Sequence, residues 1–589
     1  MKIRPLILAL SLGPGLTAAQ EQLQTLVVTG YATDLARAPA SVEIVTRAEI
    51  ERQPAFDIAD ILRFHTGLEI GRNGGPGQAT SLFIRGTESD HNLVMIDGVP
   101  INSGSVGSAA LQHIDPQLIE RIEIYKGPRA TLWGSGAIGG VINIVTRRDA
   151  QGLAWSGGLE VGEEQTLHAN GRLAWGDGTT ELSAGLAHER TDGFPPLASS
   201  NLDAGYRNSS LDLAAGHQLG AHRFDAQYWH TQGNVEYLDY FGNRLDQDFL
   251  NSRASLAWTL AVNERWTSLL ELAEVRDHID QNQSNDSVHT DRTELKWQND
   301  LDLADDHLVL GFKYSWESVE AQGGWSPYDS DTRIQELWAQ YHLERGPHQL
   351  IAGFRYLDHE DAGSKPTWSL NYGYRWTPAT TLWASVATAF RVPSANERFG
   401  FGGNPDLEPE ESTSYELGLR HRPAPGHQVG VSLYRNEIDN LIQWVMTDPA
   451  TWAGYNQNVA RARIDGLELN YDFQGQGLSL HLGGAWQDPK DRDTDQRLLR
   501  RAYYSLNARL GYDFGPWQLG ADLLHSGDRK DFGDVTLDPY TLVNLDASYR
   551  IAPRWRLHLK LENAFDETYQ LAEGYNSAGR TAYLGINYR

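Results

Sequence analysis

The sequence has 589 residues, 40% of them hydrophobic and 22% charged, which excludes a wholly disordered chain. The formal net charge of -27 argues against a nucleic acid partner, because phosphates require a basic protein surface. The chain has no cysteine, which excludes disulfides, cysteine nucleophiles and thiolate metal sites.

The first residues have the pattern of an export signal. Lys2 and Arg4 are positive, Leu6–Leu12 are mostly apolar, and Thr17–Ala19 offers a small-residue cleavage site, which predicts a signal peptide over residues 1–19. Beyond it, no run approaches the roughly 18 apolar residues of a membrane helix. If the chain spans a membrane, we therefore expect a closed barrel of strands.

A short β-prone segment follows within residues 20–30. Its sequence from Gln24 to Gly30 is QTLVVTG, and the sequence favours an extended conformation there. An extended peptide with a free edge can add as a strand to the sheet of a partner and transmit a pull. The alternative is that the segment is simply the first strand of the next domain.

Residues 31–148 are predicted to form a small globular α/β domain. Leu93–Ile96 and Val99–Ile101 are apolar, and Asp97-Gly98 between them is a strong two-residue hairpin signal. Ile122–Tyr125 and Val141–Val145 are two further predicted strands. The segment that joins them is rich in glycine, so we expect it to pass close to another surface.

This domain resembles the plug domain of TonB-dependent outer-membrane receptors. The patterns that carry the resemblance occur in the family's order: Arg85-Gly86, Ile96-Asp97-Gly98-Val99, Gly127-Pro128-Arg129 and Gly134–Thr146. Several ordered matches within one domain are far more specific than a single glycine motif. The resemblance implies that a β-barrel follows and that the plug fills its lumen.

Residues 149–589 have the period-two alternation of such a barrel. In Trp555–Glu562 and again in Val543–Arg550, apolar residues alternate with polar ones, so each strand has one face of each kind. About 440 residues at roughly 20 per strand and connection give on the order of 22 strands. The 18 tryptophans and 25 tyrosines would supply aromatic girdles. A β-sandwich would also alternate, but with shorter strands and turns.

The predicted fold class is therefore an all-β membrane barrel of about 22 antiparallel transmembrane strands, with an N-terminal globular α/β plug inside the lumen. Three more segments resemble the family's barrel: Ala389–Glu397, Asn404–Glu410 and the terminal hairpin Asn563–Tyr588. The chain ends on Tyr588-Arg589, whereas such barrels usually end on an aromatic residue. We expect the assembly signal to be imperfect or to be read from Tyr588.

The resemblance also implies partners and a location. The β-prone segment is similar to a TonB box, so the predicted TonB-binding residues are Gln24, Thr25, Leu26, Val27, Val28 and Thr29. We expect a monomer in the outer membrane of a Gram-negative bacterium, in contact with lipid and lipopolysaccharide. TonB and its inner-membrane energising complex would drive import, and neither an enzyme nor a catalytic cofactor is expected.

For the ligand, the sequence is most similar to the cobalamin receptors of this family. Their plug loops resemble Asn73–Gln78 and Gly104–Leu111, which implies that small or polar residues there contact an amide-rich corrin. The predicted ligand-binding residues are Asn73, Gln78, Thr80, Ser103, Ser105 and Val106. The alternative ligands are a ferric siderophore, haem or a metal chelate such as a zinc complex. A passive porin or a signalling receptor is the third class of function.

Cobalamin receptors hold calcium with clustered aspartates in their loops, and two clusters in this chain are similar. The predicted calcium ligands, as a structural ion, are Asp192, Asn201, Asp203, Asp239, Asp246 and Asp248. Asn201 stands where the family favours aspartate, and the spacings differ. The alternative is that these are ordinary solvated loop residues.

The sequence also predicts ion pairs at the boundary between plug and barrel. Arg85 and Arg129 of the plug are expected to pair with the acidic cluster around Glu408 and Glu410, because arginine suits buried bidentate pairing. The 19 histidines include no HExxH motif, which argues against a metalloenzyme.

Overall fold

The computed structural model describes residues 25–26, 33–34, 38–148, 151–239, 241–304, 306–324, 326–448 and 453–589. The predicted signal peptide lies outside these residues. Of the predicted TonB box, only the backbone of Thr25–Leu26 is described; this strand, β1, pairs antiparallel with β2, Thr33–Asp34. An extended conformation is what strand addition requires.

The N-terminal unit is a mixed α/β domain with a five-stranded sheet in the order β3-β8-β9-β6-β7 and a separate hairpin of β4 and β5. Its strands are β3 Val42–Thr46, β4 Leu68–Arg72, β5 Thr80–Ile84, β6 Asn92–Ile96, β7 Val99–Pro100, β8 Ile119–Lys126 and β9 Gly140–Thr146. Its helices are α1 Arg47–Arg52, α2 Ile58–Leu62 and α3 Ala130–Trp133, with 3-10 turns at Ser89–His91, Leu111–His113 and Pro116–Leu118.

Local sequence signals explain the start of the first two helices. Thr46 and Glu49 form a reciprocal capping box at α1, and the side chain of Asp57 accepts from the first turn of α2. The Asp97-Gly98 turn has positive φ at both residues, 50° and 83°, as a tight hairpin between β6 and β7 requires. The predicted hairpin is confirmed.

The second unit is a closed antiparallel barrel of 22 strands, in which the last strand pairs with the first. Its strands run from β10 to β28 and from β31 to β33. They are β10 Gly152–Gly162, β11 Leu167–Gly176, β12 Thr180–Phe194, β13 Ala204–Leu219, β14 His222–Leu238, β15 Arg244–Asn263, β16 Trp266–Gln281, β17 Ser287–Leu303, β18 Asp306–Gln322, β19 Tyr328–Arg345, β20 His348–His359, β21 Gly363–Thr377, β22 Thr380–Arg391, β23 Glu410–His421, β24 His427–Asp448, β25 Ala453–Gly475, β26 Leu478–Asp491, β27 Tyr504–Phe514, β28 Trp517–Ser526, β31 Tyr540–Ala552, β32 Trp555–Glu562 and β33 Thr581–Tyr588.

Two smaller elements lie in the long connections of the barrel. Helix α4, Ala395–Phe399, follows β22, and the small hairpin of β29, Arg529–Asp531, and β30, Val535–Leu537, follows β28, with a 3-10 turn at Phe532–Asp534 between its strands. Long connections such as 392–409 and 563–580 lie at one end of the barrel, and short ones such as 177–179 and 515–516 lie at the other. Outer-membrane barrels place their longer loops on the extracellular side.

Alternation along the strands divides apolar from polar residues as the sequence predicts. On β32, Leu557 and Leu559 are exposed on the outer wall, whereas Lys560 is buried on the inner side. On β31, Leu545 is exposed outward, and Asn544 is buried. Polar side chains can face inward because the lumen holds the plug, whose backbone and side chains accept their hydrogen bonds.

Inward arginines of the barrel fasten the plug through its backbone. Arg420 donates to Ala38 O at 3.2 Å and Ala40 O at 3.0 Å, and Arg509 donates to Phe64 O at 3.0 Å. Similar bonds come from Arg292, Arg355 and Arg501. Buried carbonyl groups in the connections and the short helix α3 of the plug need partners, which these guanidinium groups supply. Within the described ranges, no helix is long and apolar enough to cross a membrane.

Candidate functional site

The loop between β4 and β5 is one of two plug loops that reach the long-loop end of the barrel. We call residues 73–79 the first apex loop. Its glycines are needed for contact with the wall: a Cβ on Gly77, whose φ is +76°, would lie 2.2 Å from the ring of Tyr206. A Cβ on Gly74 would lie 2.7 Å from Pro196. The loop is therefore pressed against the wall and the loop between β12 and β13.

The second apex loop, residues 103–108, follows β7 and is built as a compact turn. The Ser103 amide donates to Ser108 O at 3.0 Å, and the Gly107 amide donates to Ser103 O at 2.8 Å. The Asn102 side chain donates to Gly107 O at 2.8 Å, which closes the turn from below. The loop has a defined shape before any ligand binds, which lowers the entropic cost of binding.

Helix α4 meets this second apex loop. The amides of Ala395 and Asn396, at the start of the helix, each donate at 3.0 Å to the carbonyl groups of Gly104 and Ser105. Ser394 caps the helix in a reciprocal box with Glu397. A long barrel loop and a plug loop are thereby joined by backbone hydrogen bonds.

The predicted ligand residues differ in accessibility. Val106 is 52% exposed at the tip of the second apex loop, and Asn73 and Thr80 are half-buried. Ser103, Ser105 and Gln78 are buried: the two serine hydroxyls lie 2.8 Å apart, and Gln78 donates to Glu236 O at 2.6 Å. In this conformation the three buried side chains hold the loops in place, and Val106, Asn73 and Thr80 are the accessible ones.

An ion cluster beneath the second apex loop connects the plug to α4. Plug residue His91 lies 2.7 Å from the carboxylate of Glu410 on β23, and Arg391 of β22 lies 2.5 Å from the same carboxylate. Arg391 also binds Glu397 of α4 at 2.7 Å and Asp90 of the plug at 3.2 Å. Burial alone would lower the pKa of His91, but the neighbouring Glu410 carboxylate raises it above its usual value.

Arg85 forms the other buried link between plug and barrel, with partners that differ from those predicted. It makes two bonds of 3.0 Å to Glu468 on β25 and approaches Glu416 on β23 at 3.3 Å. Its guanidinium also lies over the ring of Tyr434. The predicted partners of Arg85, Glu408 and Glu410, are wrong. Glu408 precedes β23 and Glu410 begins it, whereas Arg85 contacts an inward-facing residue further along that strand.

Arg129 is also placed differently from its prediction. Its guanidinium lies 3.5 Å from the centroid of the Tyr125 ring and donates to Asn371 Oδ1 at 3.4 Å. Burial lowers the pKa of Arg129 to about 9, with Glu416 opposing that shift. Glu408 is exposed in the loop before β23, and its amide donates to Asn458. Arg129 is therefore held by stacking, and Glu408 lies outside the buried link.

The predicted calcium ligands all lie at the long-loop end, on two segments, and the three of the second segment hold their own loops. Asp239 accepts from the amides of Phe241 and Asn243 at 2.9 and 2.8 Å. Asp246 and Asp248 each accept from Asn234 at 2.8 Å. The remaining three are Asp192, Asn201 and Asp203, all exposed. In the part of the chain that the structure describes, no three His, Asp or Glu side chains are grouped as metal ligands.

Sequence reasoning missed the residues that join the apex loops to the wall. Glu416 and Glu468 could have been found, because each occupies an inward position of a strongly alternating strand. His91, Asp90 and the start of α4 carry no comparable signal, since their partners lie far away in the chain, as with His91 and Glu410 at a separation of 319 positions.

Comparisons with known proteins agree on the architecture. The family model described as TonB dependent receptor-like, beta-barrel matches residues 146–564, and that of the TonB-dependent Receptor Plug Domain matches residues 34–141. The vitamin B12 transporter BtuB of Vibrio vulnificus is 31% identical over 585 residues, covering 93% of this chain and 92% of the relative. That of Photobacterium profundum is 32% identical over 574 residues, with the same coverage.

Solved structures share the fold at lower identity. The siderophore receptor PirA from Acinetobacter baumannii superposes with a TM-score of 0.81 at 18% identity, covering 93% of this chain and 98% of that structure. The copper transporter OprC gives the same TM-score, identity and coverage. At such identity the likeness concerns the barrel and its plug.

Proposed function

Because the chain belongs to the TonB-dependent receptor family, a family of outer-membrane transporters of Gram-negative bacteria, we propose that it imports cobalamin. The family is one of receptors and transporters, not of enzymes. TonB would supply the driving force, drawn from the proton-motive force of the inner membrane. No bond of the ligand is made or broken in this process.

The observation that carries the choice of cobalamin is the similarity to vitamin B12 transporters. It extends over 93% of the chain at 31 and 32% identity, so it includes both apex loops and the wall around them. The accessible residues in or beside these loops, Asn73, Thr80 at the start of β5 and Val106, combine a small apolar tip with amide and hydroxyl groups. Such a surface suits a bulky ligand that carries many amides.

The contacts beneath the loops suggest how occupancy would reach the plug. Ligand pressing on the second apex loop would bear on Gly104 and Ser105, whose carbonyl groups hold α4. Helix α4 is joined through Glu397 and Arg391 to Glu410 and thus to His91. A shift in this chain of contacts would loosen the plug and favour extension of Gln24–Thr29 toward TonB. Networks of packed ion pairs can carry coupling between two sites.

Binding of cyanocobalamin to the detergent-purified protein tests the proposal. We expect saturable binding by isothermal calorimetry, and weaker binding when Asn73 or Val106 is replaced by a bulky residue such as tryptophan. Failure to bind cobalamin would refute it. A ferric siderophore, haem or a metal chelate bound in its place would assign the same transport mechanism to the alternative ligand.

Calcium remains a further proposal for the long loops. Asp192, Asn201 and Asp203 on one segment and Asp239, Asp246 and Asp248 on the next offer oxygen ligands to a hard cation. Their present hydrogen bonds would have to be exchanged for metal bonds. The same titration with and without calcium is decisive: stronger cobalamin binding in calcium supports the site, and a calorimetrically silent calcium titration removes it.

A further inference from the structure

Two histidines lie face to face on the outer wall of the barrel. His278 of β16 and His289 of β17 are directly opposite each other in the antiparallel register, and their imidazole rings stack with centroids 4.3 Å apart. Directly opposed residues have Cβ atoms about 5 Å apart, which is close enough for two imidazoles to reach one metal ion. Because the pairing comes from the strand register, no local motif in the sequence indicates it.

Both rings point away from the plug and are open to the medium. Thr290 faces the lumen, where its hydroxyl lies 3.2 Å from that of Ser103 in the plug, so its neighbour His289 faces outward. On β16, exposed Leu272 belongs to the same outward row as His278, which lies about 20 Å closer to the long-loop end. The side chains of His278 and His289 are 23% and 33% exposed.

A carboxylate holds each ring. His278 Nε2 lies 3.2 Å from Asp291 Oδ2, and His289 Nε2 lies 3.0 Å from Asp280 Oδ1. A carboxylate can only accept, so Nε2 of each neutral imidazole carries the proton and Nδ1 keeps its lone pair. Among the described residues, no hydrogen bond reaches either Nδ1 atom. In metal sites the ligating histidine usually gives its other N–H to a carboxylate, which fixes the tautomer.

The surroundings of the pair are acidic, which favours a cation. Besides the two aspartates, Glu320 of β18 is directly opposite His289. The nearby guanidinium of Arg276 lies 2.5 Å from Glu274 and 3.4 Å from Asp291, so its charge is already matched within the wall. Carboxylates therefore outnumber guanidinium groups in this patch, and their field attracts a divalent cation.

Other outward-facing histidines of the wall differ from this pair. His188 of β12 lies 2.9 Å from the hydroxyl of Ser209, and His230 of β14 lies 3.2 Å from Gln232. Both partners are neutral. In the register, His188 is opposite Ser209 and His230 is opposite Ser252, so neither faces a second imidazole. These histidines are single-imidazole references for the pair.

Metal binding requires a change in ring orientation and no shift of the strands. The stacked rings, 23° from parallel, would turn about χ2 until one nitrogen of each points at the ion. That torsion is broad in histidine, so the turn costs little. The exposed carboxylates of Asp280 and Asp291 can follow the rings. Imidazole nitrogen suits Zn²⁺, Cu²⁺ and Ni²⁺, whereas Ca²⁺ and Mg²⁺ prefer oxygen ligands.

We propose that His278 and His289 bind a divalent transition-metal ion of the zinc and copper class through imidazole nitrogen, and that Asp280 and Asp291 orient the two rings. Water completes the coordination shell, because no three His, Asp or Glu side chains of the described residues are grouped as ligands. The ion would brace the hairpin of β16 and β17 across its two strands. The site lies on the outer wall, so the proposal is independent of the transported ligand.

Calorimetric titration of the tag-free, detergent-purified protein with Zn²⁺ tests the site. We expect saturable binding by the unchanged protein and an affinity lower by about tenfold or more in the doubly substituted His278→Gln, His289→Gln protein. His188→Gln is the matched control, because that outward histidine has no second imidazole opposite it, and it should leave the affinity unchanged. Equal affinity of the double variant and the unchanged protein would overturn the proposal, as would absence of zinc binding.

Electron paramagnetic resonance of bound Cu²⁺ identifies the ligands. We expect nitrogen coupling from two imidazoles in the unchanged protein and from one in His289→Gln; a single-imidazole spectrum of the unchanged protein would overturn the pairing. The Asp280→Asn, Asp291→Asn protein should keep both imidazoles while its affinity falls about tenfold, and an unchanged affinity would refute the orienting role. Displacement of Zn²⁺ by an equal concentration of Ca²⁺ would assign binding to the carboxylates alone and overturn the histidine site.

Two controls keep the result separable from misfolding and from the transport proposal. A folded barrel migrates faster than the boiled protein in electrophoresis, and each variant must retain this difference. Cyanocobalamin binding is measured on the same samples. Loss of zinc with cobalamin binding retained supports the metal site alone, and absence of cobalamin binding in every sample bears only on the transported ligand.

Discussion

Single charged side chains decide how the plug is held. Arg85 is buried among Glu416, Glu468 and the ring of Tyr434, where removal of one partner leaves an uncompensated charge. His91 occupies the corresponding position in the second cluster, beside Glu410 and Arg391. Each cluster lies between plug and barrel, so its energy contributes to the attachment of the plug and not only to the stability of either unit.

The Arg85 cluster predicts a specific energetic coupling. Arg85→Ala should lower the free energy of plug release by about 3 to 5 kcal/mol, because Glu416 and Glu468 are left buried together and Glu468 keeps only the more distant Lys126, at 3.8 Å. A double-mutant cycle, read from urea-induced exposure of a spin label on the plug, should give a clear coupling between Arg85 and Glu468. Glu408 is the control: it is exposed, so its cycle with Arg85 should show no coupling.

His91 predicts a pH dependence of the plug attachment. Its raised pKa means that the folded protein binds the proton more tightly, so the stabilisation is full below about pH 6.5 and is lost as the pH rises through that raised value. Burial raises the pKa of Asp90 to about 6, so a comparison of pH 7 with pH 9 lies above that titration. The urea midpoint of plug release should fall at pH 9. If the urea midpoint of the His91→Gln variant falls as much between pH 7 and pH 9 as that of the unchanged protein, His91 is not the cause of the pH dependence.

At the scale of elements, the apex loops are positioned by close contact with the wall. Glycine is required where the backbone of the first loop approaches Tyr206, and the second loop is fixed by its own turn bonds and by α4. Loops in a rigid frame can present a binding surface without the entropic cost of becoming ordered when the ligand binds.

The first apex loop predicts the effect of one added methyl group. Gly77→Ala would place a Cβ 2.2 Å from the buried Tyr206 ring, which must displace the loop at a cost of about 1 to 3 kcal/mol. We expect cobalamin affinity to fall about tenfold in equilibrium binding. Gly98→Ala is the matched control, since its φ is also positive at +83° but no heavy atom lies within 4 Å of the added Cβ. Equal losses in both variants would assign the effect to backbone strain.

At the scale of the whole molecule, a closed barrel needs a plug that is tight and yet removable. The inward arginines that donate to plug carbonyl groups, together with the Arg85 and His91 clusters, form many separate polar contacts beside the apolar contacts of the plug with barrel residues such as Trp229 and Leu542. Polar contacts can be exchanged for water one after another when force is applied. An apolar interface of the same extent would have to separate as a unit.

Energy coupling is predicted to depend on the N-terminal strand. Leu26→Pro removes a backbone donor and should abolish energised uptake of radiolabelled cobalamin while leaving its binding unchanged. Leu26→Ala retains the backbone donor and should keep most of the uptake. Uptake by the proline variant at the rate of the unchanged protein would exclude strand addition by TonB through this segment.

The sequence by itself determined the architecture, because alternation along a strand and the glycines of a tight turn are local properties. The order of plug and barrel, the strand alternation in Val543–Glu562 and the Asp97-Gly98 hairpin could all be predicted in this way.

Tertiary structure alone decided which residues meet. The register of a closed barrel brings His278 beside His289, and the docking of the plug brings Arg85 to Glu468 and His91 to Glu410. It also buried Gln78, Ser103 and Ser105, which the loop sequence had placed at the ligand. These pairings depend on strand stagger and on the depth of the plug in the lumen, two quantities that no local pattern encodes.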